Sequence, residues 1–302
     1  MSNENNIYKL KPFFSERIWG GDKLKEFGFN IPSNNIGEAW VISAHDNGMG
    51  YLNYNGKEIS LKEFYKNKDV FKDDKDEFPL LVKIITANDY LSVQVHPDDI
   101  YAKQKHNSFG KPESWYVLDC PKDAKLIYGH KAKTVEEIKN AIDNKEILDI
   151  LEEVEVNKGD FLYVEPGKIH AITPGVTVYE LQRSSDITYR LFDYNRVDDK
   201  GQERELHIED SLANIKVPDS EPSIIRNASG LIFESKYFSL FLHTVETPFN
   251  LNIEVPWMQL TVIEGQGKIN GVDFVSGESA IYINESMPEI SGDIKVIISW
   301  IK

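Results

Sequence analysis

Short stretches in which apolar and polar residues alternate, or in which β-branched and aromatic residues crowd together, recur along the chain. "GEAWVIS", "FPLLVKII", "LSVQVH", "SWYVLD", "GDFLYVEPG", "GVTVYELQ", "SLFLHTVE", "MQLTVIEGQG" and "IKVIISWI" are examples. Their brevity and the turn residues that bound them predict strands. Helical spacing is confined to about 60–70, 98–106 and 134–153. Ser60 and Thr134 stand where caps belong, and Glu136 and Glu137 would sit in the first turn of the last helix. Many short strands separated by turns predict β-sandwiches or barrels, with the helices as insertions. The expectation is a mainly β protein of two β-barrel or jelly-roll domains. One spans 1–220 and carries the helices; the other spans 221–302. The segment "KVPDSEPSIIRNASG" (216–230), rich in Pro, Ser and Asp, reads as the linker between them.

One strand carries a question. In "LSVQVHPDD" (91–99), alternation sends Gln94 and His96 to one face and Leu91, Val93 and Val95 to the other. Pro97 then ends the run. A Gln and a His side by side at a strand end are either two surface residues or half of a metal site.

Composition narrows the partners. The chain has 302 residues, of which 41% are hydrophobic, enough for about two domains with sizeable cores. Its net charge of −15 sets a field that repels nucleic acid and anionic membranes. An anionic substrate would need a site that gathers positive charge locally. Cys120 is the only cysteine, so no intrachain disulfide can form, in keeping with a cytoplasmic protein. The start, "MSNENNIYKL", lacks the apolar core of a signal peptide. The stretch "FPLLVKIITA" is too short to span a membrane and carries Lys83, an isolated charge that is costly there without a partner.

The chemistry gathers around "GDFLYVEPGKIHAI" (159–172). A strand ends at Glu165-Pro166-Gly167, and His170 opens the next one. The placing of Gly159, Gly167 and His170 resembles the second conserved motif of the cupin superfamily, with the proline one position late, at Pro166. The first cupin motif appears in modified form, as Gln94-x-His96 followed by Glu113. Together Gln94, His96, Glu113 and His170 offer O, N, O and N donors. Two His and a carboxylate suit zinc or another divalent transition ion, and the weak Gln donor leaves room for substrate. "GESAIYINESMPEI" (277–290) shares the Gly-acidic opening and Pro-containing turn of 159–172 but has no histidine. Either the second domain is a copy without ligands, or the two segments share only strand-turn composition.

"LSVQVHPDD", "GKPESWYVLD", "EPGKIHAI" and "SSDITYRLFDYNR" occur in that order, after "ERIWGGDKL" and "GEAWVIS". Together they resemble the signature segments of type I mannose-6-phosphate isomerases (phosphomannose isomerases) in their short bacterial form. The resemblance implies a zinc-dependent aldose–ketose isomerase on a cupin framework, with one ion per chain held by Gln94, His96, Glu113 and His170. It implies active-site roles for Arg190 and Lys111, and for Lys83, Ser92 and Glu180. The family's frequent His before Lys-Pro-Glu is replaced here by Gly110.

That reaction moves a proton between C1 and C2 of a sugar phosphate. It needs charge stabilisation at the carbonyl end, which a metal and Arg190 can give, and a base on one face of the open chain. Glu180 is the first candidate for the base, because it shares a strand face with Val176 and Val178. Lys111 is the second. Arg190, Lys83, Lys111 and Ser92 can receive the phosphate. The implied partner is a small sugar phosphate, with the chain a monomer or weak homo-oligomer. Two other readings stay open: a different cupin metalloenzyme, such as a dioxygenase or another sugar-phosphate isomerase, or a non-catalytic sugar-binding cupin.

Overall fold

A computed structural model describes residues 6–73, 75–197, 201–244, 254–284 and 286–301. The protein is mainly β, and its chain divides into two compact units. One contains residues 1–16, 22–84 and 227–302; the other contains 17–21 and 85–226. This grouping differs from the expected division into 1–220 and 221–302, because strand pairing crosses that boundary. Ile7–Lys11 lies antiparallel to Ser279–Tyr282, with Ile7 opposite Tyr282 and Leu10 opposite Ser279.

In the first unit that pairing sits inside a nine-stranded sheet. The order runs from Gly230–Glu234 through Ser239–His243, Ile290–Trp300, Met258–Ile269 and Ser279–Tyr282 to Ile7–Lys11, Tyr51–Tyr54 and Lys57–Ser60, with Val272–Val275 pairing off this path with Met258–Ile269. Among the described residues the path is open, so the strands lie side by side without closing the expected barrel. The helix expected at 60–70 forms as Leu61–Tyr65 and Lys68–Phe71, and the Ser60 hydroxyl accepts from the Glu63 amide at 3.0 Å. An aromatic cluster joins this stretch to the C-terminal segment. The Trp257 ring lies 6.2, 5.9 and 5.1 Å from those of Tyr65, Phe71 and Phe78.

In the second unit two groups of strands face each other. Ile224–Ile225, Phe161–Val164, Glu113–Asp119 and Thr177–Arg183 run side by side and antiparallel. Opposite them lies a five-stranded sheet in the order Leu151–Glu155, Lys125–His130, His170–Ala171, Val93–Val95 and Tyr189–Phe192. Trp115, Val117, Leu162, Val164 and Val178 from one side meet Leu126, Tyr128 and Val154 from the other in a buried core. The back of the five-stranded sheet presents Val93, Val95, Ile127, Ala171, Tyr189 and Leu191 to the helical segments.

Those helices differ in part from expectation. Asp99–His106 is capped by Asp98, whose carboxylate accepts from the Tyr101 amide at 2.8 Å. The helix expected over 134–153 is capped by Thr134 but stops at Asp143. Lys145 then takes a left-handed φ of 62°, which ends the helical run. After a short turn of helix, Leu151–Glu155 becomes an edge strand, with Val154 opposite Leu126. Pairing with Lys125–His130 overrides helical spacing there. Ile208–Asn214 forms a helix that no sequence pattern marked. The expected linker 216–230 is also tied down, because Ile224 and Ile225 pair with Leu162 and Phe161.

Trp257→Ala should destabilise the protein by about 3–5 kcal/mol, the usual cost of deleting a large buried aromatic side chain. Urea denaturation should show a lower midpoint with an unchanged slope. A shift below about 1 kcal/mol would mean that the aromatic cluster does not hold the C-terminal segment.

Candidate metal centre and active site

The strand Val93–Val95 answers the question that its sequence raised. Val93 and Val95 pack toward the helices, so Gln94 and His96 turn toward the facing strands. Leu91 lies ahead of the strand and joins the interior core rather than the helical side. Gln94 stands directly opposite His170 on one neighbouring strand and opposite Arg190 on the other. Directly opposed residues share a face, so His170, Gln94 and Arg190 form a row. Glu113 comes from the facing group of strands, where it pairs with Val164 and Gln182.

His96, Glu113 and His170 converge, all buried. The two Nε2 atoms are 3.1 Å apart. His96 Nε2 is 3.2 Å from Glu113 Oε2, and His170 Nε2 is 3.3 Å from Oε1. The far side of each ring settles what these nitrogens can do. His96 Nδ1 is 2.9 Å from the Ile187 carbonyl, and His170 Nδ1 is 2.9 Å from the Lys168 carbonyl. A carbonyl only accepts, so each Nδ1 carries the proton, and in the neutral ring Nε2 is left with a lone pair. Burial pushes the His96 pKa down to about 3, with Lys111 adding to the effect, which keeps that imidazole neutral. Burial opposes ionisation of Glu113, but the Lys111 ammonium outweighs it and holds the carboxyl well below its usual range.

Lone pairs and an anion therefore point at one another in a dry interior. Neither Glu113 oxygen has a well-aligned hydrogen bond. Such an arrangement calls for a cation among the donors. Bonds of about 2.0–2.1 Å to a tetrahedral ion would set neighbouring donor atoms about 3.3–3.4 Å apart, close to the 3.1–3.3 Å seen here. The residues fit a metal ion. Gln94 presents its Nε2 to His170 Nε2 at 3.3 Å, while its Oε1 lies 3.4 Å from Ser92 Oγ. Turning the amide over would bring the oxygen to the cluster.

The remaining candidates lie at different removes. Lys111 is buried, with Nζ 3.2 Å from His96 Nε2 and 3.0 Å from Glu113 Oε2, so it reaches the donor atoms themselves. Ser92 is buried beside Gln94. Arg190 is half-buried; its guanidinium donates to the Glu205 carbonyl at 2.7 Å, and its Nε is buried without a partner. Glu180 is buried, and its Oε2 accepts from the Trp115 indole N–H at 3.0 Å. The Trp115 ring in turn lies 5.4 Å from that of His170. Lys83 belongs to the other unit, where it is buried with Nζ 5.1 Å from the Trp40 ring centre.

Gly110 has a steric reason. A Cβ there would lie 2.5 Å from the Asp98 carbonyl carbon and 2.6 Å from the Asp99 amide nitrogen. A histidine could enter only if that backbone moved.

Several supporting groups left no mark in the sequence. The Ile187 and Lys168 carbonyls orient the rings, and carbonyls carry no residue signature. Gln182, fully buried opposite Glu113, donates to the carbonyls of Arg183 and Ser185 and so tightens the turn that leads to Ile187. His207 accepts from the Arg190 amide at 3.2 Å through Nδ1. Strand register, which sequence does not print, brings Trp115 opposite Glu180.

Known proteins resemble this chain in sequence and in fold. A family model, "Phosphomannose isomerase type I, catalytic domain", matches residues 7–119. The chain is 41% identical over 278 residues to mannose-6-phosphate isomerase ManA of Bacillus subtilis, covering 88% of each. It is 38% identical over 306 residues to mannose-6-phosphate isomerase of Streptococcus mutans, covering 96% of each. The solved structure of the mannose 6-phosphate isomerase from Bacillus subtilis superposes with a TM-score of 0.89 at 34% identity, over 98% of this chain and 99% of that one. A buried His/His/Glu cluster at adjoining strand ends, in a chain this similar along almost its whole length, leads to one conclusion: the protein belongs to the type I phosphomannose isomerase family.

Proposed function

We propose that this chain interconverts mannose 6-phosphate and fructose 6-phosphate, with one zinc ion held by His96, Glu113, His170 and the amide oxygen of Gln94. The observation that carries the reading is the buried convergence of two imidazole lone pairs and a carboxylate within 3.3 Å of one another. When bound there, the ion supplies Lewis-acid stabilisation for oxygens of the open-chain sugar. The chain's own residues do the rest. Arg190, in the row with Gln94 and His170, offers guanidinium donors to the phosphate. Ser92 and Lys111 add a hydroxyl and a charge close to the donor cluster. Glu180 takes the proton between C1 and C2: its carboxylate lies in the apolar interior with Val178 and is held by the Trp115 N–H. The buried walls exclude bulk water from the carbanion-like species. A second reading gives the proton to Lys111, because its Nζ alone among these candidates touches the donor atoms.

A coupled assay with mannose 6-phosphate, run before and after chelation and zinc restoration, tests the activity and the metal together. His96→Ala and His170→Ala should each lose tightly bound zinc and nearly all turnover. Full zinc content in either variant would remove the site assignment.

Arg190→Ala should lose far more activity on mannose 6-phosphate than on free mannose, whose residual turnover involves no phosphate contact. Equal losses on both sugars would move Arg190 to the carbonyl end.

Glu180→Gln keeps the shape of the site and should leave metal content unchanged. It should lower turnover by about 10²–10⁴-fold, the usual worth of a general base. Turnover in D₂O should put solvent deuterium at C2 of the mannose 6-phosphate formed from fructose 6-phosphate. A nearly wild-type Glu180→Gln beside an inactive, zinc-loaded Lys111→Met would make the lysine the base.

A further inference from the structure

A second charged cluster lies behind His170, built from the segment that the sequence presents as a linker. Lys168 is 2% exposed, with its ammonium sealed inside the protein. Its Nζ donates to Asp219 Oδ1 at 2.9 Å, to Oδ2 at 3.0 Å and to the Ser220 carbonyl at 3.0 Å. It also lies 4.7 Å from the centre of the Tyr128 ring. Asp219, with a side chain 4% exposed, is saturated in turn. Besides Lys168 it accepts from the His130 amide at 3.2 Å and from the Ser220 amide at 2.8 Å. Gly129 makes room for this approach: a Cβ there would lie 2.3 Å from Asp219 Oδ2.

The same segment grips the turn that leads into His170. The Lys216 amide donates to the Gly167 carbonyl at 3.0 Å, while from the strand Lys125–His130 the Gly129 amide donates to the Ile169 carbonyl at 2.8 Å. The Gly167 amide bonds the His96 carbonyl at 3.0 Å, so the turn links two of the candidate ligands through the backbone. Lys168 is thus held at both ends. Its side chain is anchored by Asp219, and its carbonyl accepts the Nδ1 proton of His170 at 2.9 Å.

We propose that the Lys168–Asp219 pair is a positioning device for the metal centre. By fixing Lys168, Asp219 sets the carbonyl that holds the His170 ring, and so aims Nε2 at the ion. The assignment rests on the metal reading proposed above. It concerns residues that touch neither the ion nor the substrate. A buried ion pair surrounded by additional hydrogen bonds is costly to build, and conformational definition is one of its attested uses. Groups that orient metal-bound histidines commonly change affinity when altered, although they lie one bond removed from the ion.

The test uses the full-length protein and two shape-preserving variants, Asp219→Asn and Lys168→Gln. Lys216→Gln serves as the control, since it alters a side-chain bridge from the same segment to Glu165 and leaves the Lys168–Asp219 pair intact. Zinc affinity is read by competition with a chromophoric chelator, Co²⁺ loading by the visible absorption spectrum, and folding by circular dichroism. Both variants should remain folded and bind zinc about 10–100-fold more weakly, with displaced Co²⁺ bands, while the control matches wild type. Folded variants with wild-type zinc affinity and an unchanged Co²⁺ spectrum would overturn the proposal. So would failure of both variants to fold, which would make the pair a general support of the unit. A wild-type protein that binds no zinc would instead remove the metal reading, and this proposal with it.

Discussion

The site depends on keeping like atoms close in a dry interior. Two imidazole nitrogens and a carboxylate lie within 3.3 Å of one another, where lone pairs repel and water cannot screen them. Only a rigid surround and an opposing cation make such a cluster worth its desolvation. Both rings are fixed from behind by backbone carbonyls. Lys111 brings one positive charge, and a divalent ion fits the space the donors enclose.

Two facing groups of strands meet this demand. Sheet register puts His170, Gln94 and Arg190 in a row on one wall, and Glu113 comes from the other. The core between the walls is apolar, from Trp115 and Leu162 to Leu126 and Val154. Its packing fixes the separation of the walls, and with it the spacing of the donors. The helices close the other side of the five-stranded sheet, so Val93 and Val95 are buried while their neighbours serve the site. One strand of three residues thus serves a core on one face and chemistry on the other.

Charge is arranged on two scales. The chain carries −15 overall, yet Lys111 and Arg190 stand at or beside the donor cluster. A phosphorylated sugar would meet local positive charge that the whole-molecule field does not reveal. Lys168, also buried and charged, is wholly engaged by Asp219 and Ser220. Burial of a cation therefore does not by itself identify a substrate group. The partners differ: Lys111 reaches His96 and Glu113, whereas Lys168 is taken up by Asp219 and the Ser220 carbonyl.

Much of this protein was written locally. Period-two alternation placed Gln94 and His96 on the interior face, and Ser60 and Thr134 stand where helices begin. Ordered motifs carried the resemblance to the family, and four residues of three types carried the candidate ligands. Other features were decided only by the assembled chain. The residues 134–153 read as one helix, but pairing with Lys125–His130 made their end a strand. The N-terminal strand Ile7–Lys11 entered the sheet of the C-terminal segment, which no local pattern announces. A Pro- and Ser-rich linker became the clasp around Lys168, because its Asp219 found a buried partner 51 residues away in the chain. Local alternation, caps and motifs depend on neighbours in sequence, which the chain displays directly. Register, ring orientation and the pairing of buried charges depend on neighbours in space, and only the folded chain selects those.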